Sequence, residues 1–485
     1  MNAAVDTEVC IVGAGFGGLG IAITLKRARF DDFVVLERGN AVGGTWRDNV
    51  YPGCACDIPT TLYSYSFEPN PHWTRLYPRR EELWDYLADC ARRYGLEPHL
   101  RFGRALDDAV WDDTTATWHV RTADGATLRC RVLILATGAL NRPKRPPIPG
   151  RDTFAGTAFH SSEWDASVDL RGKQVAVIGT GASAVQIVPE IAAEVARLTI
   201  FQRTPPWIFP RFDRPIGARE RALRRFIPGY ARLTRALLYW SLEVRAYGFT
   251  VKPDLLQRRE ALALRYLSRK VADPALRRAL TPHYRMGCKR VLLSDDYYDA
   301  VQRPNVTLTT EATAIEPDGV RTADGTLHPA DVIVYATGFE ATKQLSGVRI
   351  TGRDGMALAD AWRDGMAAYL GTSVAGFPNL FMIVGPNTGL GHNSMVVMME
   401  AQYAYVVDAL RRMRRTKVRA LDVRPDVQRT FNDELQRKMR GTVWASGCSS
   451  WYQDERGKNT TLWPGFTFAF RRLTRRFRPD RYHAV

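Results

Sequence analysis

Two short glycine-rich runs carry the clearest chemical signal in this 485-residue chain. The first is Gly13-Ala14-Gly15-Phe16-Gly17-Gly18, between an apolar run at 8–12 and a helical pattern. The second is Gly179-Thr180-Gly181-Ala182-Ser183-Ala184, after the apolar run 174–178 and again before a helical stretch. A glycine turn between strand and helix lets backbone N–H groups and the helix N-terminus approach a pyrophosphate. The residues that end the next strands differ in charge. Glu37 stands 24 residues after Gly13, and Arg203 stands 24 residues after Gly179. A carboxylate accepts hydrogen bonds from a ribose diol and repels a 2′-phosphate, whereas a guanidinium pairs with that phosphate. Gly13, Gly15, Phe16, Gly18 and Glu37 are therefore candidates to bind FAD. Gly179, Gly181, Ser183, Ala184 and Arg203 are candidates to bind NADPH in preference to NADH.

The elements that must position these residues repeat as well. Arg121-Thr122-Ala123-Asp124-Gly125 reads as a hairpin turn feeding a buried strand that stops at Ala136-Thr137-Gly138. Arg321-Thr322-Ala323-Asp324-Gly325 feeds a second such strand, which stops at Ala336-Thr337-Gly338. A corner of small residues lets the backbone approach a cofactor closely, which makes Thr137 a further candidate. The pattern predicts an α/β fold with two Rossmann-like dinucleotide-binding domains. An FAD domain would take 1–145 and return over 341–485. An NADP domain would take 150–209 and 287–340, and the Pro-rich run at 142–150 reads as the linker between the two. Across 210–286 the strand pattern gives way to helix. There Tyr230, Leu233, Leu237, Trp240, Val244 and Tyr247 recur at helical spacing, with Arg232, Arg235 and Glu243 mostly on the other side. The segment reads as a helical insertion in the NADP domain, packed over the cleft between domains. An interfacial helix on a membrane surface is the alternative.

Composition excludes other classes. With 45% hydrophobic and 25% charged residues the chain is neither disordered nor fibrous. No apolar stretch reaches the length of a membrane span. The segment Met1-Asn2-Ala3-Ala4-Val5-Asp6-Thr7-Glu8 lacks the basic and apolar regions of a signal peptide. Seven cysteines, an odd number, read as reduced thiols and point to the cytoplasm. The net charge of +17 comes mostly from dispersed arginines, with one dense run at 471–478 that reads as a solvated helix end. No nucleic-acid module accompanies it, and peripheral contact with a membrane stays open. Cys54 and Cys56 are spaced as packing residues rather than as a redox pair. The histidines show no metal-ligand spacing, so no metal is expected.

Three further stretches supply the reaction. Phe154-Ala155-Gly156-Thr157-Ala158-Phe159-His160-Ser161-Ser162-Glu163-Trp164, just before the second glycine turn, resembles the FxGxxxHxxxW fingerprint of type I Baeyer–Villiger monooxygenases. Gly43-Gly44-Thr45-Trp46 with Tyr51-Pro52-Gly53 and Asp57 matches a second motif of that family, and Cys288-Lys289-Arg290 resembles its arginine segment. The resemblance spans essentially the whole chain. It implies NADPH- and O2-dependent conversion of a small ketone to an ester or lactone through a C4a-peroxyflavin. Related S- or N-oxygenating flavin monooxygenases are the alternative, and they usually lack the Trp at the position of Trp164. The resemblance further implies that Arg290 stabilises the peroxide anion and that Asp57 holds Arg290. Lys289, Arg203 and Thr204 would bind the 2′-phosphate. Thr45, Trp46 and Tyr63 would lie near FAD, and the stretch containing Asn387 would return to complete the FAD domain. His160 and Trp164 would couple the domains as they move.

Overall fold

The computed structural model describes residues 5–484, so Met1–Ala4, part of the leader reading, lie outside the described residues. The apolar run before the first glycine turn is the strand Thr7–Val12. It pairs in parallel with Phe33–Leu36 on one side and with Thr127–Leu135 on the other, Val9 opposite both Phe33 and Val132. Every strand residue here except Glu8 and Val34 is buried in these first two strands, as expected of parallel strands covered on both faces. Thr127–Leu135 is also the second arm of the hairpin turning at Ala123-Asp124-Gly125, and it takes Leu380–Met382 as a further parallel neighbour. The helix Phe16–Arg27 covers this sheet and packs against Met395–Thr416. Gly20 permits that approach, because a Cβ there would run into the Tyr403 ring.

A second sheet is parallel throughout. Its order is Val306–Thr309, Arg197–Phe201, Gln174–Ile178, Val332–Tyr335 and Thr157–His160. The echo in the sequence is thus an echo in space. Each glycine turn follows a central parallel strand, and a neighbouring strand ends beside it at an Ala-Thr-Gly corner. This is the mixed α/β, Rossmann-like arrangement that the two motifs predict.

Residues 210–286 fold into the helices Ala218–Phe226, Tyr230–Thr250, Leu256–Lys270 and Pro274–Ala279. The insertion leans on both halves: Tyr239 and Leu242 pack with Leu62 and Val397, while Tyr266 and Leu267 join the core of the second sheet. The orientation of the long helix corrects the expectation. The stripe Leu233, Leu237, Trp240, Val244 and Tyr247 faces solvent, and Tyr239, Leu242, Glu243, Ala246 and Phe249 face inward. The inward polar groups are satisfied by partners distant in sequence. Glu243 accepts hydrogen bonds from Asn393 and from the Thr467 hydroxyl, and Arg235 Nη1 donates to the Thr61 and Ser64 carbonyls.

The cysteine reading is corrected too. Cys288 and Cys448 form a disulfide, with Cα atoms 6.2 Å apart, that ties the segment before Arg290 to the loop that leads into Trp451 and Tyr452. Cys10, Cys54, Cys56, Cys90 and Cys130 are free and buried. Among the described residues no helix is long and apolar enough to cross a membrane, and no cluster of His, Cys, Asp or Glu is placed to hold a metal.

Candidate active site

At the first turn Gly13 has φ of +104°, and a Cβ on it would lie 2.6 Å from the carbonyl oxygen of Ala136. Only glycine combines that conformation with that closeness. A Cβ on Gly18 would run into the carbonyl oxygen of Gly13. Gly15 caps the helix and lies against Gly44, so Gly43-Gly44-Thr45-Trp46 folds directly over the turn, fixed by the Gly43 N–H donating to Ala14 at 2.9 Å. Phe16, Trp46 and Tyr63 form one aromatic cluster, with ring centroids 5.0 and 5.6 Å from Tyr63. Glu37 is buried. Its carboxylate accepts the N–H of Ala14 and of Gly39, each at 2.8 Å, and pairs with Arg47 at 2.9 Å. Thr137 lies two residues past the end of the adjoining strand, half-buried. Asn387 arrives from the far end of the chain. Its Nδ2 donates to the Asn459 and Leu462 carbonyls at 2.9 Å, while its buried Oδ1 has no partner.

At the second turn Gly179 repeats Gly13: its φ is +110°, and a Cβ would lie 2.6 Å from the Ala336 carbonyl oxygen. Gly181 faces open space and Ser183 is half-buried, while Ala184 is fully buried. Arg203 is exposed, and the Thr204 carbonyl accepts the Thr180 hydroxyl at 3.0 Å. Lys289 lies over the Tyr284 ring, 5.0 Å from its centroid. Burial lowers its pKa, and the nearby charge of Arg203 lowers it further. Neither cation has a carboxylate within ion-pair distance among the described residues, so together they form a positive patch.

The two halves meet at a loop and a helix. Gln186, on the helix that follows the second turn, accepts the Tyr51 hydroxyl at 3.0 Å and donates to the Ala55 carbonyl at 2.9 Å. The loop so held carries Asp57. Arg290 donates through Nε to Asp57 Oδ2 at 2.8 Å and through Nη2 to the same oxygen, so two neighbouring N–H groups converge on one acceptor and hold that edge of the guanidinium. The carboxylate raises the already high pKa of Arg290. The side chain keeps 31% of its surface accessible, so the pair is anchored on one side and open on the other. Tyr452 faces Arg290, and burial pushes its phenol up to about 12. Cys54 and Cys56 lie in the same loop as buried thiols. Burial pushes Cys54 up to about 11 and Cys56 higher still, so neither offers a thiolate for disulfide exchange.

His160 is buried at the end of its strand, beside Tyr335. Its Nδ1 accepts the Ser162 N–H at 3.1 Å, its Nε2 has no partner, and burial lowers its pKa. Trp164 packs edge-on against Phe159, with ring centroids 5.1 Å apart. Gln186 and Tyr452 have no local signal as site residues: the loop that Gln186 holds lies more than a hundred positions away, and nothing around Tyr452 beyond the adjacent Trp451 sets it apart.

The fold and its paired turns define an oxidoreductase built on two dinucleotide-binding units. A family model described as pyridine nucleotide-disulphide oxidoreductase matches residues 10–215. The chain is 49% identical to a Baeyer–Villiger monooxygenase of Streptomyces coelicolor over 97% of this chain and 91% of that one. It is 46% identical to a Baeyer–Villiger monooxygenase of Pseudomonas aeruginosa, over 99% and 92% of the two chains. A crystal structure of OTEMO in complex with FAD and NADP superposes with a TM-score of 0.90 at 26% identity, covering 100% of both chains. The chain belongs to the Baeyer–Villiger monooxygenases.

Proposed function

We propose that this chain uses NADPH and O2 to insert one oxygen atom beside the carbonyl of a small ketone, giving an ester or lactone and water. The observation that carries the reading is the Arg290–Asp57 pair, open on one side, where the loop from the first dinucleotide unit meets the helix of the second. The residues present fit FAD at the first turn. Gly13, Gly15 and Gly18 carry no side chain to cover the turn, Glu37 ends the next strand as a fixed carboxylate, and Phe16, Thr45, Trp46, Tyr63 and Thr137 would wall the site. The unpartnered Oδ1 of Asn387 is an acceptor waiting for a donor. FAD held there and reduced by NADPH supplies the activation of O2.

The protein's part is binding and electrostatics. Gly179, Gly181, Ser183 and Ala184 would cradle the NADPH pyrophosphate, and Arg203, Thr204 and Lys289 would hold its 2′-phosphate. Arg290 is a cation that cannot give up its proton, fixed where negative charge develops on oxygen. A lysine there would be able to act as an acid and quench that charge. Asp57 orients the fork. Tyr452 stays protonated at neutral pH and so faces Arg290 without adding charge. The NADPH requirement agrees with a place in the cytoplasm.

Replacing Arg290 by Ala should leave reduction of bound FAD by NADPH intact and cut ester formation by at least about 100-fold, the scale of removing one preorganised charge partner. Ester formation at the parent rate would overturn the assignment. Both rates are read on one preparation, by flavin bleaching and by product chromatography.

A further inference from the structure

We infer that the insertion docks on an anionic phospholipid surface through the outer face of the helix Tyr230–Thr250. Leu233, Leu237, Trp240, Val244 and Tyr247 are 44–71% exposed there. Their spacing of four and three residues sets them in one line about 21 Å long at 1.5 Å per residue. The line does not stop at the helix. The Trp240 ring lies 6.1 Å from that of Phe468, so the patch runs onto Thr467–Thr474, and Phe226 and Ile227 expose further apolar surface just ahead of the long helix. Isolated exposed leucines are ordinary, but a continuous apolar and aromatic strip marks a surface that meets something.

Charge says what it meets. Residues 218–270 hold 13 Arg and Lys against 4 Asp and Glu, a net +9. Next to Phe468, Arg471, Arg472 and Arg475 follow at one-turn and two-turn spacing, and Arg476 comes after them. These four and Arg232 are exposed and pair with no carboxylate among the described residues. A second copy of the chain would bring the same positive face against itself. Lipid phosphates would neutralise it while the acyl boundary takes up Leu237, Trp240 and Val244, with Trp and Tyr at the depth they favour. The inward face is already committed, with Glu243 held by Asn393 and Thr467, so the outer face binds without repacking.

The test is co-sedimentation of the full FAD-loaded protein with phosphatidylglycerol–phosphatidylcholine vesicles, against phosphatidylcholine alone, at low and high salt. Binding is expected on the anionic vesicles only and should weaken with salt. Leu237→Glu with Trp240→Glu should lower the partition coefficient about tenfold or more, and each arginine removed among 471, 472, 475 and 476 about five-fold. A brominated lipid should quench the emission of the parent protein and fail to quench the same component in Trp240→Phe, a variant that keeps the fold. Equal binding to neutral vesicles, no binding to anionic ones, or quenching unchanged in Trp240→Phe would overturn the proposal. So would a lipid-free dimer by light scattering that Leu237→Glu dissociates, since the strip would then be a seam between copies.

Discussion

The two glycine turns share a corner and a parallel-strand setting and differ in the third position and in the charge that faces them. At each, the first glycine approaches an alanine carbonyl so closely that a Cβ would lie 2.6 Å from its oxygen, Ala136 for Gly13 and Ala336 for Gly179. At the third position they part. Gly18 has no room for a methyl, whereas Ala184 carries one and is fully buried. The strand-end charges part in the same way. Glu37 is buried and already held by two backbone N–H groups and Arg47, while Arg203 is exposed and its charge is felt by Lys289, neither with a carboxylate partner among the described residues. The first charge is thus fixed by the protein itself, whereas the second belongs to a pair of cations that repel each other.

The largest effect expected from this difference is at the third position. Gly18→Ala should cost about 3 kcal/mol, the upper end for overpacking against backbone, and release FAD, read by thermal unfolding and by flavin absorbance after gel filtration. Ala184→Gly should cost only about 1 kcal/mol in helix propensity and keep the flavin. Equal effects at the two positions would erase the contrast. Next comes charge. Arg203→Ala should raise the KM for NADPH about 10- to 100-fold, as expected for one charge-assisted contact, and leave the KM for NADH and the FAD content unchanged. A matched rise for NADH would mean Arg203 does not read the 2′-phosphate.

The smallest effect lies at the neighbouring corner. Burial holds His160 below its ordinary value of 6.5, so the folded protein keeps it neutral where the unfolded chain already takes a proton. Its contribution to stability is whole above 6.5 and declines as the pH falls below it, by at most about 1.4 kcal/mol per unit. His160→Gln should flatten that part of the Tm profile between pH 8 and 5.5. An unchanged slope would place the pH dependence elsewhere.

What was legible in the sequence was local. The turns, the hairpins and their corners are runs of adjacent residues whose shape follows from glycine, small residues and alternation, and the structure places them as read. The pairing of Asp57 with Arg290 was legible only through the family resemblance, since the residues stand 233 positions apart. Three features had no local signal. Gln186 joins the halves through a loop far back in the chain. Cys288 and Cys448 meet across a separation of 160 residues. The long helix of the insertion turned its apolar stripe outward because Glu243 and Arg235 find their partners inside, and helical periodicity gives two faces without saying which one the fold will claim. The odd cysteine count misled for the same reason: it counts thiols and does not place them.

The most direct test of the central claim is product analysis with isotopically labelled O2. The FAD-loaded protein would be given NADPH and a panel of cyclic, linear and aromatic ketones together with thioethers. An ester or lactone carrying one labelled oxygen is expected from the parent protein and should be lost in Arg290→Ala. NADPH consumed to yield only sulfoxide, or only hydrogen peroxide, with no ester from any ketone, would contradict it.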